Sequence, residues 1–503
     1  MARSADVVVV GAGPAGIAAA VAAAVAGAEV VLLDDAPRPG GQYWRHGPAG
    51  LGPHHHDRRG WRELSTELAE QRAAGRIALL PAHRVWRLEP SPEASGADGT
   101  EGTGGATVHA VTDEDPAGPG GGAAGRERPV TLTARAVVVA TGAHDRVLPF
   151  PGWDLPGVVT PGAVQTLLKE HGVPVGRRVV VAGSGPFLLP VAASLLRTGA
   201  TVVAVAEAGA GRGWLTGGRA VLARGSRLRE AAGYAAVLGR HGVRPRLRTA
   251  VVEAHGTDAV EAVTLARLDR SGAVVPGTAR RVACDAVAVG WGFTARVELA
   301  LQAGAVAVPG PDGGPAVAAD PWGRTAVPGI LVAGELLGIG GAALAVVTGR
   351  LAGAAAAAHA LGGSRLPVEA EPVERRLIER RRQLIAFAEV LHRAHPVPAG
   401  WPAWLRDDTL VCRCEEVPVG RLREAVDLLG ATDARTAKLL TRCGMGWCQG
   451  RMCGEAVARL AAGPGTTVPG THGRDAGLAA RPVAVPLTLQ ALADDPTRRE
   501  VGP

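Results

Sequence analysis

The chain has 503 residues, a length that suggests about three domains and ample material for large cores. Its net charge of +7 is carried almost entirely by arginine and is spread along the chain; no block alternates basic with aromatic residues, so nucleic-acid binding is set aside. Five of the six cysteines lie between 412 and 453, a clustering that in a cytosolic chain favours metal over disulfides.

The first stretch, Asp6 to Asp34, organises the rest. Val7 to Val10 reads as a buried strand too short to be a helix. Gly11-Ala12-Gly13-Pro14-Ala15-Gly16 follows, then an Ala-rich helix stopped by Gly27 and a second strand, Val30 to Leu33, closed by Asp34. Gly11 suits the tight turn, Gly13 lets the backbone approach a pyrophosphate, and Gly16 lets helix pack on strand. Free N–H groups and the helix dipole suit phosphate, and the acid suits ribose hydroxyls. Because this apolar run contains a nucleotide loop, it is not read as a signal peptide. It is interrupted by Gly27 and Glu29 and is not read as a membrane span, nor is the Arg350-containing run after Gly338. A soluble, cytoplasmic protein is expected.

Further along, Arg38-Pro39-Gly40-Gly41-Gln42-Tyr43-Trp44 is either a plain turn or a backbone approach to a cofactor with Gln42 as a polar contact. His54, His55 and His56 are expected in a solvated loop, because adjacent residues point in different directions. Pro90 to Arg128, rich in Gly, Ala, Ser and acids, is expected to be a flexible insertion between strands. Val137 to Gly142 is another buried strand ending in a Gly turn. A second nucleotide-type unit spans Arg178 to Glu207, with Gly183 and Gly185 in place but Leu188 at the third glycine position. Glu207 suits a 2′-hydroxyl, and the lack of an Arg directly after it favours NAD over NADP. Either a bound dinucleotide or an altered, empty site is compatible with this pattern. Cys284 is expected in a core. Gly329 to Glu335 reads as a strand ending in Gly334-Glu335, whose carboxylate beside a helix N-terminus suits a flavin ribityl hydroxyl. Glu371 to His395 reads as a charged amphipathic helix, a connector or partner-facing element.

The sharpest signal is LVCRCEEV, a helical stretch near Gly420 to Leu429, and RCGMGWCQGRMC. Cys412 and Cys414 form C-x-C, Cys448 and Cys453 form C-x4-C, and Cys443 is spare. Two pairs of thiolates suit zinc or an iron–sulfur centre. Gly444, Gly446 and Gly450 leave backbone N–H groups free to turn toward sulfur. The flavin-type unit upstream tips the choice to [2Fe–2S], since a one-electron centre is useful beside a two-electron cofactor.

Together GAGPAG, PGGQYWR, VVVATGAHDRVLPFPGW, GSGPFLLP, CDAVAVGWGF, VAGELLGIGG and the cysteine run resemble a family of flavoprotein subunits. It includes the A subunits of opine oxidases, the flavin subunit of hydrogen cyanide synthase, and the alpha subunits of dye-linked proline dehydrogenases and heteromeric sarcosine oxidases. The resemblance implies an α/β chain with two dinucleotide-binding domains of the pyridine nucleotide-disulfide oxidoreductase type, plus a small helical [2Fe–2S] domain similar to bacterioferritin-associated ferredoxin. The implied division is an FAD domain over 1–170 and 285–365, a second nucleotide domain over 171–284, a helical connector over 366–408, the cluster domain over 409–463 and a tail over 464–503. By the same resemblance FAD contacts Gly11, Gly13, Gly16, Asp34, Gly41, Gln42, Thr141, Gly142, Gly334 and Glu335, with Pro14 and Ala15 inside the same loop. The cluster sits on Cys412, Cys414, Cys448 and Cys453, and NAD at Gly183, Gly185 and Glu207 stays open. Thioredoxin-reductase-type relatives carry C-x-x-C in the second nucleotide domain; this chain has none, which argues against disulfide reduction.

The expected function is electron transfer within a heteromeric amine or amino-acid dehydrogenase or oxidase that takes sarcosine, proline, hydroxyproline, an opine or glycine, with oxidation on a separate flavoprotein beta subunit. No acid–base pair announces a catalytic site in this chain. The alternatives are a self-sufficient NAD(P)H-dependent reductase and a non-catalytic redox sensor.

Overall fold

The computed structural model describes residues 3–52, 55, 57–91, 105–113, 127–211, 213–214, 225–362, 372–462 and 483–494. His54, His56, Glu371, most of the Pro90–Arg128 insertion and most of the C-terminal tail lie outside the described residues.

The chain opens with β1 (Arg3–Val10), α1 (Pro14–Val25), β2 (Val30–Leu33), α2 (Arg58–Ala73), β3 (Ile77–Leu80), β4 (His83–Pro90), β5 (Ala106–Asp113), β6 (Glu127–Val139) and β7 (Ala143–Asp145). These strands, β7 apart, form one sheet in the order β3-β2-β1-β6-β5-β4. The β3-β2-β1-β6 part is parallel, with Val8 opposite Val31 and Val137. Strands covered on both faces read as unbroken apolar runs, and Val7, Val8 and Val9 are fully buried. β6 changes partner along its length. Residues 127–134 pair antiparallel with β5, while Val137–Val139 pair with a strand that arrives much later. β5 corrects the expectation of a flexible insertion: its interior is buried and its ladder runs against both β4 and β6. His55 is likewise no solvated residue. It is buried, and its Nε2 lies 2.6 Å from the Arg45 carbonyl.

A second run comprises β8 (Val158–Val159), α3 (Pro161–Thr166), β9 (Arg178–Gly183), α4 (Leu188–Arg197), β10 (Thr201–Glu207), α5 (Gly225–Arg240), β11 (Arg246–Leu247), β12 (Thr249–His255), β13 (Ala262–Arg267), β14 (Arg280–Ala283) and β15 (Ala286–Gly290). Its parallel sheet has the order β11-β10-β9-β15-β8, and β12-β13-β14 form a separate antiparallel meander. β8 and β15 therefore pair in the second sheet, although the sequence reading counts both with the first nucleotide unit.

The chain then returns through β16 (Phe293–Ala295), α6 (Glu298–Gln302), β17 (Ala307–Pro309), β18 (Pro315–Val317), β19 (Ile330–Val332) and α7 (Ala342–Ala360). β16 pairs antiparallel with β7, and β19 pairs parallel with the end of β6. Among the described residues, α7 is the one helix long and apolar enough to cross a membrane, yet it is largely buried here. It lies along α1, where small residues bring the backbones close: a Cβ on Gly349 or Gly353 overlaps the carbonyl of Ala15 or Ala19.

α8 (Pro372–Ala394) packs Leu384 with Leu344, Val347 and Leu351 of α7. The cysteine region follows as β20 (Leu410–Cys412), β21 (Val417–Pro418), α9 (Val419–Asp427), α10 (Ala434–Thr441) and α11 (Gly454–Ala461). Its core is continuous with that of the second nucleotide unit, joining Cys412, Cys443 and Cys453 to Phe150, Trp153, Trp291, Trp401 and Trp404. Three indole N–H groups stitch this contact: Trp153 to the Leu410 carbonyl at 2.6 Å, Trp401 to the Pro149 carbonyl at 2.7 Å and Trp404 to the Gly272 carbonyl at 3.1 Å.

Candidate cofactor sites

One continuous cavity of about 2040 Å³ runs along both nucleotide units and is lined by the glycine loops and strand-end acids of each. At the first unit, Gly11 takes φ +102°, and a Cβ there or on Gly16 overlaps backbone carbonyls. A Cβ on Gly41 would stand 2.8 Å from the Cα of Gly13, so PGGQ needs glycine at 41 to lie against the GAGPAG loop. Asp34 accepts from the Ala12 N–H and, at 2.7 Å, from the Ala36 N–H. A carboxylate has about four acceptor positions, which leaves two for a ribose diol. Burial pushes Asp34 up to about 6, against the pull of those two N–H groups. Glu335, just after β19, accepts from Gly340 N–H at 2.7 Å and Gly341 N–H at 3.0 Å; burial pushes it up to about 7. Gln42, Thr141, Gly142 and Gly334 line the same cavity. A glycine cradle, a half-satisfied acid and a long cleft fit a flavin dinucleotide.

At the second unit the loop and acid come together in the same way. Glu207 accepts from Gly185 N–H at 3.0 Å, Gly209 N–H at 2.8 Å and the Ser184 hydroxyl at 3.2 Å. In addition His395, just past α8, brings Nδ1 to 3.3 Å from Glu207 Oε2. The Ser184 hydroxyl also reaches the Pro396 carbonyl at 3.3 Å. Gly183 is pressed against Gly290, where any Cβ overlaps the carbonyl.

The cysteines sit in the loops around β20 and before α11. Among the described residues no three His, Cys, Asp or Glu side chains gather as a single metal ion requires. The thiols instead touch pairwise, in the sequence Cys443, Cys412, Cys453, Cys448, Cys414. Cys412, Cys453, Cys448 and Cys414 would supply four thiolates spread along a chain of contacts, which fits the two irons of a [2Fe–2S] cluster better than one zinc. Hydrogen bonds from its neighbours Cys443 and Cys453, and from the Gly444 and Glu415 N–H groups, hold the Cys412 thiol far below its usual value. Cys448 is lowered to about 5, chiefly by Cys453, with the Met452 and Gly450 N–H groups aiding. Cys443 is fully buried and touches only Cys412 of the four. Cys284 lies apart in the core, its thiol pushed up to about 11 by burial.

Three features carry no local sequence signal. His144 of β7 donates from Nε2 to the Arg451 carbonyl at 3.1 Å, tying the strand after Thr141-Gly142 to the loop between Cys448 and Cys453. Burial lowers His144 to about 4. Lys169 faces the cavity with Nζ 3.1 Å from the Tyr43 carbonyl, lowered to about 8 by burial and then by Arg45. His392, one turn before His395, lies with Nε2 2.7 Å from the Ile339 carbonyl, in the loop that Glu335 braces.

Comparison with known proteins agrees with this layout. The pyridine nucleotide-disulphide oxidoreductase family matches residues 5–360, and the BFD-like [2Fe-2S] binding domain matches residues 410–462. The chain is 33% identical over 513 residues to the opine oxidase A subunit of Rhizobium meliloti, covering 97% of this chain and 98% of that protein. It is 33% identical over 451 residues to the hydrogen cyanide synthase subunit HcnB of Pseudomonas aeruginosa, covering 89% and 90%. Its fold is similar to that of L-proline dehydrogenase from P. horikoshii, with a TM-score of 0.65 and 21% identity over 98% of this chain and 80% of that one.

Proposed function

We propose a function from the premise that the chain belongs to the pyridine nucleotide-disulphide oxidoreductase family and, within it, to the flavoprotein subunits that include those of opine oxidase (its A chain), hydrogen cyanide synthase (HcnB) and sarcosine oxidase (its alpha chain). It is a flavin oxidoreductase subunit with a [2Fe–2S] domain. Our reading is that it serves as the electron-transfer subunit of a heteromeric amine or amino-acid dehydrogenase or oxidase, in the cytoplasm. A separate flavoprotein beta subunit takes hydride from the substrate: sarcosine, proline, hydroxyproline, an opine or glycine.

FAD supplies exchange between two-electron and one-electron chemistry, and a [2Fe–2S] cluster supplies one-electron transfer. The chain's own residues hold both. Gly11, Gly13 and Gly16 bring backbone to the pyrophosphate, Asp34 takes the ribose, and Glu335 positions the Gly340 and Gly341 N–H groups. Cys412, Cys414, Cys448 and Cys453 would hold the irons, with the neighbouring N–H groups facing sulfur. The observation that carries the reading is the bridge from His144 to the Arg451 carbonyl, which ties the strand after Thr141-Gly142 to the loop between Cys448 and Cys453.

The test is an anaerobic absorption spectrum of the loaded chain. Flavin and sulfur-to-iron bands should stay unmoved by NADH and bleach with an amine only after the partner is added. A Cys448→Ser variant should keep the flavin bands and lose the iron bands. Rapid bleaching by NADH alone would instead make the chain a reductase in its own right. The strand-end position of Glu207 is what favours that second reading.

A further inference from the structure

The two strand-end acids have similar surroundings up to a point. Each accepts from an N–H of its own glycine loop and from the N–H two positions downstream: Ala12 and Ala36 for Asp34, Gly185 and Gly209 for Glu207. There the likeness ends. Asp34 has two acceptor positions to spare. Glu207 spends a third on the Ser184 hydroxyl, the His395 ring stands with Nδ1 3.3 Å from Oε2 without a hydrogen bond to it, and the Glu207 side chain is only 10% exposed. About four positions is all a carboxylate has, so one is left, on the oxygen that the His395 ring stands against, where a 2′- and 3′-hydroxyl pair needs two.

The segment that delivers His395 is seated, not merely near. The turn 394–396 ends α8 and stands beside the second loop, His395 and Pro396 lining the same cavity as Ser184, Gly185 and Glu207. A Cβ on Gly209 would stand 3.1 Å from the Ala394 carbonyl, a tight fit, and one on Gly213 would overlap the Ala394 Cα, so the turn needs glycine at 213 to seat against this wall. The Trp214 ring meets the His395 ring edge-on at 5.6 Å between centroids and packs on Phe387 of the same helix at 6.2 Å. The Ser184 hydroxyl, placed where Ala12 stands in the first site, adds the contact to the Pro396 carbonyl. These contacts come from separate elements and converge on one short turn.

We infer that the second dinucleotide seat is occupied by the chain itself: His395 takes the ribose position on Glu207, and the 394–396 turn keeps nicotinamide dinucleotides out until the end of α8 is displaced. His395 is thus the specificity-determining residue of that site, and Glu207 is its anchor. This inference rests on the geometry around Glu207 and not on the amine reading; either stands if the other falls.

The test uses the full chain loaded with flavin and cluster, and NAD+ as the probe, because it binds without reducing the flavin. Equilibrium dialysis should find no saturable binding by the unaltered chain up to about 1 mM, while His395→Gly gains affinity by at least about tenfold. Adding Glu207→Gln to that variant should abolish the gain, because the freed carboxylate is what reads the ribose. Saturable binding by the unaltered chain that His395→Gly fails to tighten would overturn the inference. Should His395→Gly lose its flavin, hydrogen exchange on the unaltered chain decides. Residues 390–397 should stay protected at about 1 mM NAD+, a level that saturates a micromolar site. Release of that segment, together with new protection at 183–187, would show an open dinucleotide site.

Discussion

At the scale of single residues, the cavity is built from groups whose charge is expensive. His144 is held neutral with its Nε2–H on the Arg451 carbonyl, and its pKa falls from 6.5 to about 4 by burial, with Arg296, Arg451 and Arg146 adding to the fall. Between those two values the unfolded chain binds the proton that the folded chain refuses. The stability tied to His144 is therefore present above pH 6.5 and is lost as the pH drops toward 4, by at most about 3 kcal/mol. Asp34 and Glu335 are raised by burial and act in the opposite direction, their contribution being present at low pH and lost as the pH climbs through 6 and 7. The difference between proteins isolates the histidine. His144→Gln should flatten the fall of the thermal midpoint between pH 6.5 and 4 relative to the unaltered chain, both loaded alike. An unchanged slope would mean that the ring is protonated in place.

At the scale of elements, the nucleotide units depend on close backbone packing rather than on large side chains. The seam between α1 and α7 is the clearest case. In an exposed helix Gly→Ala gains about 1 kcal/mol. At Gly349 the added methyl overlaps the Ala15 carbonyl, so Gly349→Ala should cost about 1–3 kcal/mol and lower the thermal midpoint, with flavin released earlier on heating. A raised midpoint would show that the helices can part without penalty. The same local rules explain which elements are legible in the sequence. Runs such as Val7–Val10 and Val137–Val139 announce buried strands, and GAGPAG announces a turn that only glycine can make, because in each case the determining contacts lie within a few residues. β5 is hidden because glycine- and acid-rich sequence flanks it. α10 lacks a broad apolar stripe, and β8 and β15 read as part of the wrong sheet because partner choice between parallel strands is a long-range matter. The seat of His395 on Glu207 joins residues 188 positions apart and leaves no mark on either neighbourhood.

At the scale of the whole molecule, the cysteine region is not independent of the nucleotide units. Its core runs into that of the second nucleotide unit through Trp153, Trp401 and Trp404, and the Arg413 guanidinium lies 4.6 Å above the Trp153 ring. Residues 409–462 alone would expose that shared apolar face and lose the indole donor that the Leu410 carbonyl receives from Trp153. Expressed by themselves and supplied with iron and sulfide, they should give no cooperative thermal transition and no stable cluster absorption, while the full chain gives both. A folded, coloured fragment would show that the shared core is dispensable. The last turn of α8 ties the molecule together differently. His392 rests on the Ile339 carbonyl and His395 on Glu207, and three residues of helix separate them by roughly 4.5 Å along the axis. The loop braced by Glu335 and the seat at Glu207 are therefore held by one helix end. By reciprocity, any factor that a ligand at one place imposes on affinity at the other is returned unchanged.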